Sequence, residues 1–138
     1  MSENYTLAFL GILTILITLV VQSIVAAVSK ASQPEAIPGK MDDSLGHDSF
    51  VFRSNRTFKN SLENISMMLG ASFLAILVGA DVFWTGLLVW VMALARIVHM
   101  VLYYAIATQK NPSPRSYFYL LAVLANIVLL GFCVKALI

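Results

Sequence analysis

Three polar residues interrupt one of the longest apolar segments of the chain. Arg96, His99 and Tyr103 follow one another at helical spacing, so they share one face of a helix. A charge at the centre of a membrane-spanning helix costs roughly 2.5–3.5 kcal/mol on insertion scales. Such a residue normally faces the protein interior and has a partner there. The spacing therefore predicts a polar site on an otherwise apolar helix.

A second polar face precedes another apolar segment. Arg56, Asn60 and Glu63 also share one helix face, and Lys59 stands one turn before Glu63, where the two can pair. Two ordinary interpretations remain open. The charges can lie among lipid headgroups, or Glu63 can form an internal ion pair with Arg56 or Arg96.

A third element is the pair Arg115 and Ser116, at the start of the last apolar segment. A helix N-terminus has free N–H groups and a positive dipole end, so it favours an anion. Arginine also suits carboxylates, because its planar fork can donate two parallel hydrogen bonds. Glu63 suits an ammonium group. Together these residues predict a site for a small zwitterion that carries carboxylates.

The composition shows which elements must hold these residues. The chain has 138 residues, of which 59% are hydrophobic and 12% charged. Soluble domains are about 45–50% apolar and about 25% charged. We predict one all-α domain over residues 1–138, a polytopic membrane four-helix bundle. The predicted helices cover about 7–29, 58–79, 82–107 and 115–137, and a cytoplasmic loop covers about 30–57. A nucleic-acid partner is not predicted, since the net charge is only +2, and no metal site is predicted.

Basic residues give the predicted orientation. The first and third connections, with the helix starts that follow them, hold seven of the nine lysines and arginines, and the turn at Ala80 and Asp81 holds none. The positive-inside rule then places both basic loops in the cytoplasm and both termini outside, in the inner (plasma) membrane if the source is bacterial. All three polar elements therefore meet on one side. His47 lies in the first loop with no visible partner. The seven basic residues are Lys30, Lys40, Arg53, Arg56, Lys59, Lys110 and Arg115.

These residues resemble the membrane-associated proteins in eicosanoid and glutathione metabolism (MAPEG). The first motif is similar to Arg-x-x-x-Asn-x-x-Glu of that family, and the second to Arg-x-x-His/Tyr-x-x-x-Tyr. The third is an arginine that opens the last helix and is followed here by serine. The loop from Pro38 to Lys40 resembles the bacterial members, the microsomal glutathione transferase-like type.

The resemblance implies a homotrimer that binds glutathione between neighbouring subunits. Arg115 would stabilise the glutathione thiolate, since a nearby cation favours the ionised thiol, and Ser116 would donate to the sulfur. The implied activity is a glutathione S-transferase, with or without peroxidase activity, acting on hydrophobic electrophiles or lipid hydroperoxides. A non-catalytic glutathione- or lipid-binding scaffold and a small transporter stay open. Residues implied to bind glutathione are Arg56, Lys59, Asn60, Glu63, Arg96, His99 and Tyr103.

Overall fold

The structure is a computed structural model that describes residues 3–138. A short 3₁₀ turn, Glu3–Tyr5, leads into four α-helices. They are α1 (Thr6–Ala31), α2 (Phe50–Leu77), α3 (Val82–Ala105) and α4 (Pro114–Leu137). No strand occurs in the part of the chain that is described. The predicted all-α class is confirmed.

Three of the four helices can cross a membrane. Helices α1, α3 and α4 are long and apolar enough to span the hydrocarbon layer. Helix α2 differs because its first half contains Arg53, Arg56, Lys59 and Glu63. Three apolar spans make the chain a multi-pass membrane protein, as the composition predicts.

Helix α2 begins at Phe50, whereas the sequence predicted a start near residue 58. The charged and small polar residues before residue 58 predict a loop, yet this segment forms helix because its small polar side chains face inward. Ser54 and Thr57 are fully buried. The Ser54 hydroxyl lies 2.7 Å from the Ser29 hydroxyl of α1, and Thr57 Oγ1 donates to the Arg53 carbonyl at 2.8 Å. The loop between α1 and α2 is therefore shorter than predicted and covers about residues 32–49.

Helix α3 occupies the centre of the bundle. Val89 and Met92 of this helix are completely buried, as is Leu129 of α4. At Gly11 of α1, a Cβ atom would lie 2.8 Å from Val89 Cγ1, so only glycine permits this close approach. Tight packing on both sides fixes the rotation of α3, and with it the direction of its polar face.

The turn between α2 and α3 makes these two helices antiparallel. Gly79 has a φ of +72°, a backbone conformation that glycine adopts at no steric cost. Asp81 Oδ1 then caps α3 by accepting from the Trp84 amide at 2.9 Å. The Tyr5 hydroxyl donates to the Ala80 carbonyl and holds the turn against the N-terminal segment. Consequently the start of α2, the end of α3 and the start of α4 lie at one end of the bundle.

Candidate functional site

A cavity of about 250 Å³ opens where these three helix ends meet. It is lined by the start of α2, the last turns of α3 and the first turns of α4. Six of the predicted site residues line it, together with one tyrosine that was not predicted. The lining residues are Arg56, Asn60, His99, Tyr103, Arg115, Ser116 and Tyr119.

Tyr103 lies at the centre of the cavity's contacts. The Arg115 guanidinium carbon lies 3.9 Å from the centre of the Tyr103 ring, a close cation–π contact. The His99 ring meets the same tyrosine edge-on, with ring centres 5.8 Å apart. Tyr103 and His99 are buried, whereas Arg115 is half-buried. The Tyr103 ring, which packs against His99, thus holds the partly accessible Arg115 guanidinium beside the opening of the cavity.

The start of α4 is fixed by two serines. Ser113 precedes the helix, and its amide donates to the Ser116 hydroxyl oxygen at 3.1 Å. The two hydroxyl oxygens also lie 3.0 Å apart. This capping contact sets the first turn, and therefore the position from which Arg115 extends. It also occupies part of the hydrogen-bonding capacity of Ser116, for which the family resemblance implied contact with sulfur.

Two polar atoms of the cavity have no partner among residues 3–138. They are Asn60 Oδ1 and His99 Nδ1, both shielded from solvent. A buried polar atom that makes no hydrogen bond costs roughly 1–3 kcal/mol. The backbone carbonyl of Asn60, by contrast, accepts from Asn64 Nδ2 at 2.6 Å. Two residues that line the cavity therefore have unused hydrogen-bonding capacity.

Arg96 does not line this cavity. It is 3% exposed, and its Nη2 donates to the Ser61 hydroxyl at 2.8 Å. Nη1 has no partner within the described chain, and the side chain lines a separate void of about 10 Å³ near Thr18. The prediction that Arg96 is a partner for Glu63 gives way to a hydrogen bond with Ser61, because Glu63 faces outward.

Lys59 and Glu63 also lie outside the cavity. Both are exposed on α2, although Arg56 and Asn60 of the same helix line the site. In the described subunit the predicted polar face of α2 is thus divided: Arg56 and Asn60 line the cavity, whereas Glu63 lies outside it. Lys59 or Glu63 can contribute to a binding site only if another protein surface lies opposite them.

Substitution of Ser61 by alanine is expected to destabilise the bundle by about 1–3 kcal/mol, because it leaves the buried Arg96 guanidinium without its hydrogen-bond acceptor. Thermal unfolding in detergent measures this change. Ser66→Ala provides the matched control, since Ser66 is exposed on the same helix. Equal melting temperatures for the two variants would contradict the importance of the Arg96–Ser61 contact.

His47 has a partner that the sequence did not reveal. Its Nε2 lies 3.2 Å from the Tyr103 hydroxyl oxygen, and its ring stacks on Tyr103 with centres 6.0 Å apart. Burial lowers the pKa of His47 below its ordinary value, and the charges of Arg115, Arg56 and Arg53 lower it further. The loop between α1 and α2 therefore reaches the cavity.

Arg53 anchors that loop. Its Nη1 donates to the carbonyls of His47 at 2.7 Å and Asp48 at 2.9 Å, and its Nη2 donates to the Tyr104 carbonyl at 3.3 Å. These contacts connect the loop to the ends of α2 and α3. Arg53 was counted in the sequence only as a basic residue, because no spacing rule relates it to distant carbonyls.

Tyr119 could have been found from the sequence, since it follows Arg115 by one helical turn and so shares its face. His47 could not, because a loop of this length has no periodicity. The described residues contain no group of three or more histidines, cysteines, aspartates or glutamates suited to a metal ion.

Comparison with protein families gives one result. The family model described as the MAPEG family matches residues 7–135, which is nearly the whole chain. No curated protein and no solved structure matches the chain.

Proposed function

Because the chain belongs to the MAPEG family, a family of membrane proteins associated with glutathione, we propose that it is a membrane glutathione S-transferase. The observation that supports this most directly is Arg115, held against Tyr103 at the opening of a cavity with unused polar atoms. A cation at this position favours a thiolate over a thiol, and the thiolate is the nucleophile.

In the proposed reaction, the glutathione thiol loses its proton to solvent beside Arg115. The sulfur then forms a bond to an electrophilic carbon, and the leaving group departs with its electron pair. Asn60 and His99 form hydrogen bonds with the peptide. The Arg56 guanidinium donates two parallel hydrogen bonds to one carboxylate of glutathione. With a lipid hydroperoxide as the electrophile, the thiolate sulfur attacks the terminal oxygen, the O–O bond breaks, and the alkoxide takes a proton from solvent and leaves as the lipid alcohol. The thiol of a second glutathione then attacks the resulting sulfenic acid, which gives glutathione disulfide and water. Ser116 is proposed as a further donor to sulfur.

A second subunit completes the proposed site. Ligand pockets are typically about 300–1,000 Å³, which is larger than the cavity of about 250 Å³ found in one subunit. Lys59 and Glu63 are exposed on α2 of a membrane protein, and a charge without a partner is costly where it meets lipid. A homotrimer, as the family resemblance implies, would cover both residues and place them opposite a neighbour's cavity.

The proposed second substrate is an apolar electrophile or lipid hydroperoxide that arrives through the bilayer. Helix α4 begins at the site and continues with exposed leucines and isoleucine, so its outer surface suits lipid. The proposed orientation keeps the basic loops and the site in the cytoplasm, where glutathione is available, and both termini on the other side. The exposed apolar residues of α4 include Leu120, Leu121, Leu124 and Ile127.

The proposal is tested with purified wild-type protein in detergent. We expect glutathione to raise the melting temperature and the protein to conjugate glutathione to a model aryl halide. A thermal shift without conjugation would identify a glutathione-binding scaffold. The absence of both effects would contradict glutathione as the ligand.

A further inference from the structure

The loop between α1 and α2 contributes the side chain of His47, which contacts Tyr103 of the site. His47 Nε2 and the Tyr103 hydroxyl are 3.2 Å apart, and the two rings lie almost parallel, with an interplanar angle of 11°. Tyr103 is buried as a whole residue, and His47 is the side chain that its hydroxyl contacts. His47 thus determines where the phenol oxygen of Tyr103 lies.

His47 is itself held in place from α2. Arg53 donates to the His47 carbonyl at 2.7 Å, and the Phe52 ring packs edge-on against the imidazole with centres 4.8 Å apart. The Ser49 amide also donates to the Gly46 carbonyl at 2.9 Å and closes the turn around His47. Because both the backbone and the ring of His47 are held in place, His47 can fix the position of Tyr103, which it contacts.

Tyr103 in turn contacts the cation of the site. The Arg115 guanidinium lies over the Tyr103 ring at 3.9 Å, so a rotation of the tyrosine displaces its partner. We propose that His47 is a positioning residue: by its hydrogen bond to Tyr103 it fixes the ring on which Arg115 rests, and so the guanidinium that faces the thiolate. The inference rests on the proposed function for the role of Arg115.

The charges around His47 give this arrangement a pH dependence. Arg53 and Arg56 face it from α2, Arg115 from α4 and the Tyr103 phenol from α3, and Asp48 follows it in the loop. Burial and then the three arginines lower the pKa of His47, so the imidazole is neutral at neutral pH.

Acidification is expected to lower the stability of the folded loop. The unfolded chain binds the proton at a higher pH than the folded chain, so the stability contributed by neutral His47 is present at neutral pH and is lost as pH falls below its ordinary value. Protonated Nε2 can only donate, so the phenol oxygen must then accept, and the imidazole adds a positive charge beside Arg115. We therefore expect an acid limb in the wild-type rate that depends on His47.

Substitution of His47 by phenylalanine tests the proposal. This variant keeps an aromatic ring beside Tyr103 and loses the hydrogen bond, which is expected to lower kcat about 2- to 10-fold. The KM for glutathione is expected to change little. The pH–rate profile should shift to higher pH, because a displaced Arg115 stabilises the thiolate less, and the acid limb due to His47 should disappear.

Two further variants keep the test decisive. His47→Gln retains a hydrogen-bonding side chain and is expected to recover part of kcat, while Asp48→Ala, an exposed neighbour in the same loop, should match the wild type. A fall in kcat with an unshifted pH profile in His47→Phe would overturn the positioning role, as would equal rates for His47→Phe and His47→Gln.

A double-mutant cycle separates this inference from the proposed function. Melting temperatures of His47→Phe, Tyr103→Phe and the double variant are measured without glutathione. We expect the two substitutions to be non-additive, since each removes the same hydrogen bond. Additive effects would overturn the contact itself. If the wild type conjugates no substrate while the cycle shows coupling, the proposed function fails and the His47–Tyr103 contact stands.

Discussion

Replacing Arg115 by alanine is expected to lower the rate of glutathione conjugation by about 10²- to 10³-fold, the loss typical of removing a group that stabilises a reacting anion. Arg115 is half-buried at the opening of the cavity, over the Tyr103 ring at 3.9 Å. Without this cation the bound thiol keeps its proton at neutral pH, and the fraction of nucleophilic thiolate falls.

Two control variants distinguish this effect from a general loss of positive charge. Arg115→Lys keeps the charge and loses the planar guanidinium, so we expect an intermediate rate. Lys110→Ala removes an exposed cation from the loop before α4 and should leave the rate unchanged. The rate is measured as kcat and KM for glutathione with a model aryl halide. A rate for Arg115→Ala close to that of the wild type would contradict the proposed catalytic role.

Replacing Arg56 by methionine is expected to weaken glutathione binding about 10- to 150-fold, which corresponds to one charge-assisted hydrogen bond of about 1.5–3 kcal/mol. Arg56 lines the cavity and is half-buried, and we propose that its guanidinium binds a carboxylate of the peptide. Isothermal titration with glutathione measures Kd directly.

Arg53→Met is the informative comparison for Arg56→Met. Both arginines belong to the first turns of α2, but Arg53 donates to the carbonyls of His47, Asp48 and Tyr104. We expect its loss to loosen the loop, detected as faster proteolysis within residues 32–49, and to change Kd less than Arg56→Met does. If Arg53→Met weakened binding more strongly than Arg56→Met, the assignment of Arg56 to the ligand would be wrong.

The sequence predicted the parts of this molecule that follow helical periodicity. The all-α class follows from apolar segments of membrane length. The three polar elements meet at one end of the bundle because α2 and α3 are antiparallel. Periodicity placed His99 and Tyr103 on one face, and the cavity contains both. Tyr119 obeys the same rule from Arg115.

Other features depend on contacts between distant segments. His47 meets Tyr103 across 56 positions of the chain, and Arg96 meets Ser61 across 35. No spacing rule relates such residues. The start of α2 at Phe50 has the same cause, since Ser54 favours loop by composition and becomes helical by packing against Ser29. Charge alone suggested Glu63 as the partner of Arg96, but helix rotation turns Glu63 outward.

The most direct test of the central claim is the ultraviolet absorbance of glutathione thiolate during titration of glutathione into the purified protein at neutral pH. If Arg115 stabilises the thiolate, as we propose, we expect a saturable thiolate signal in the wild type that is lost in Arg115→Ala. We expect Arg115→Ala still to bind glutathione through Arg56, Asn60 and His99. A wild-type protein that shows no saturable signal, or an Arg115→Ala variant with an undiminished one, would contradict the central claim.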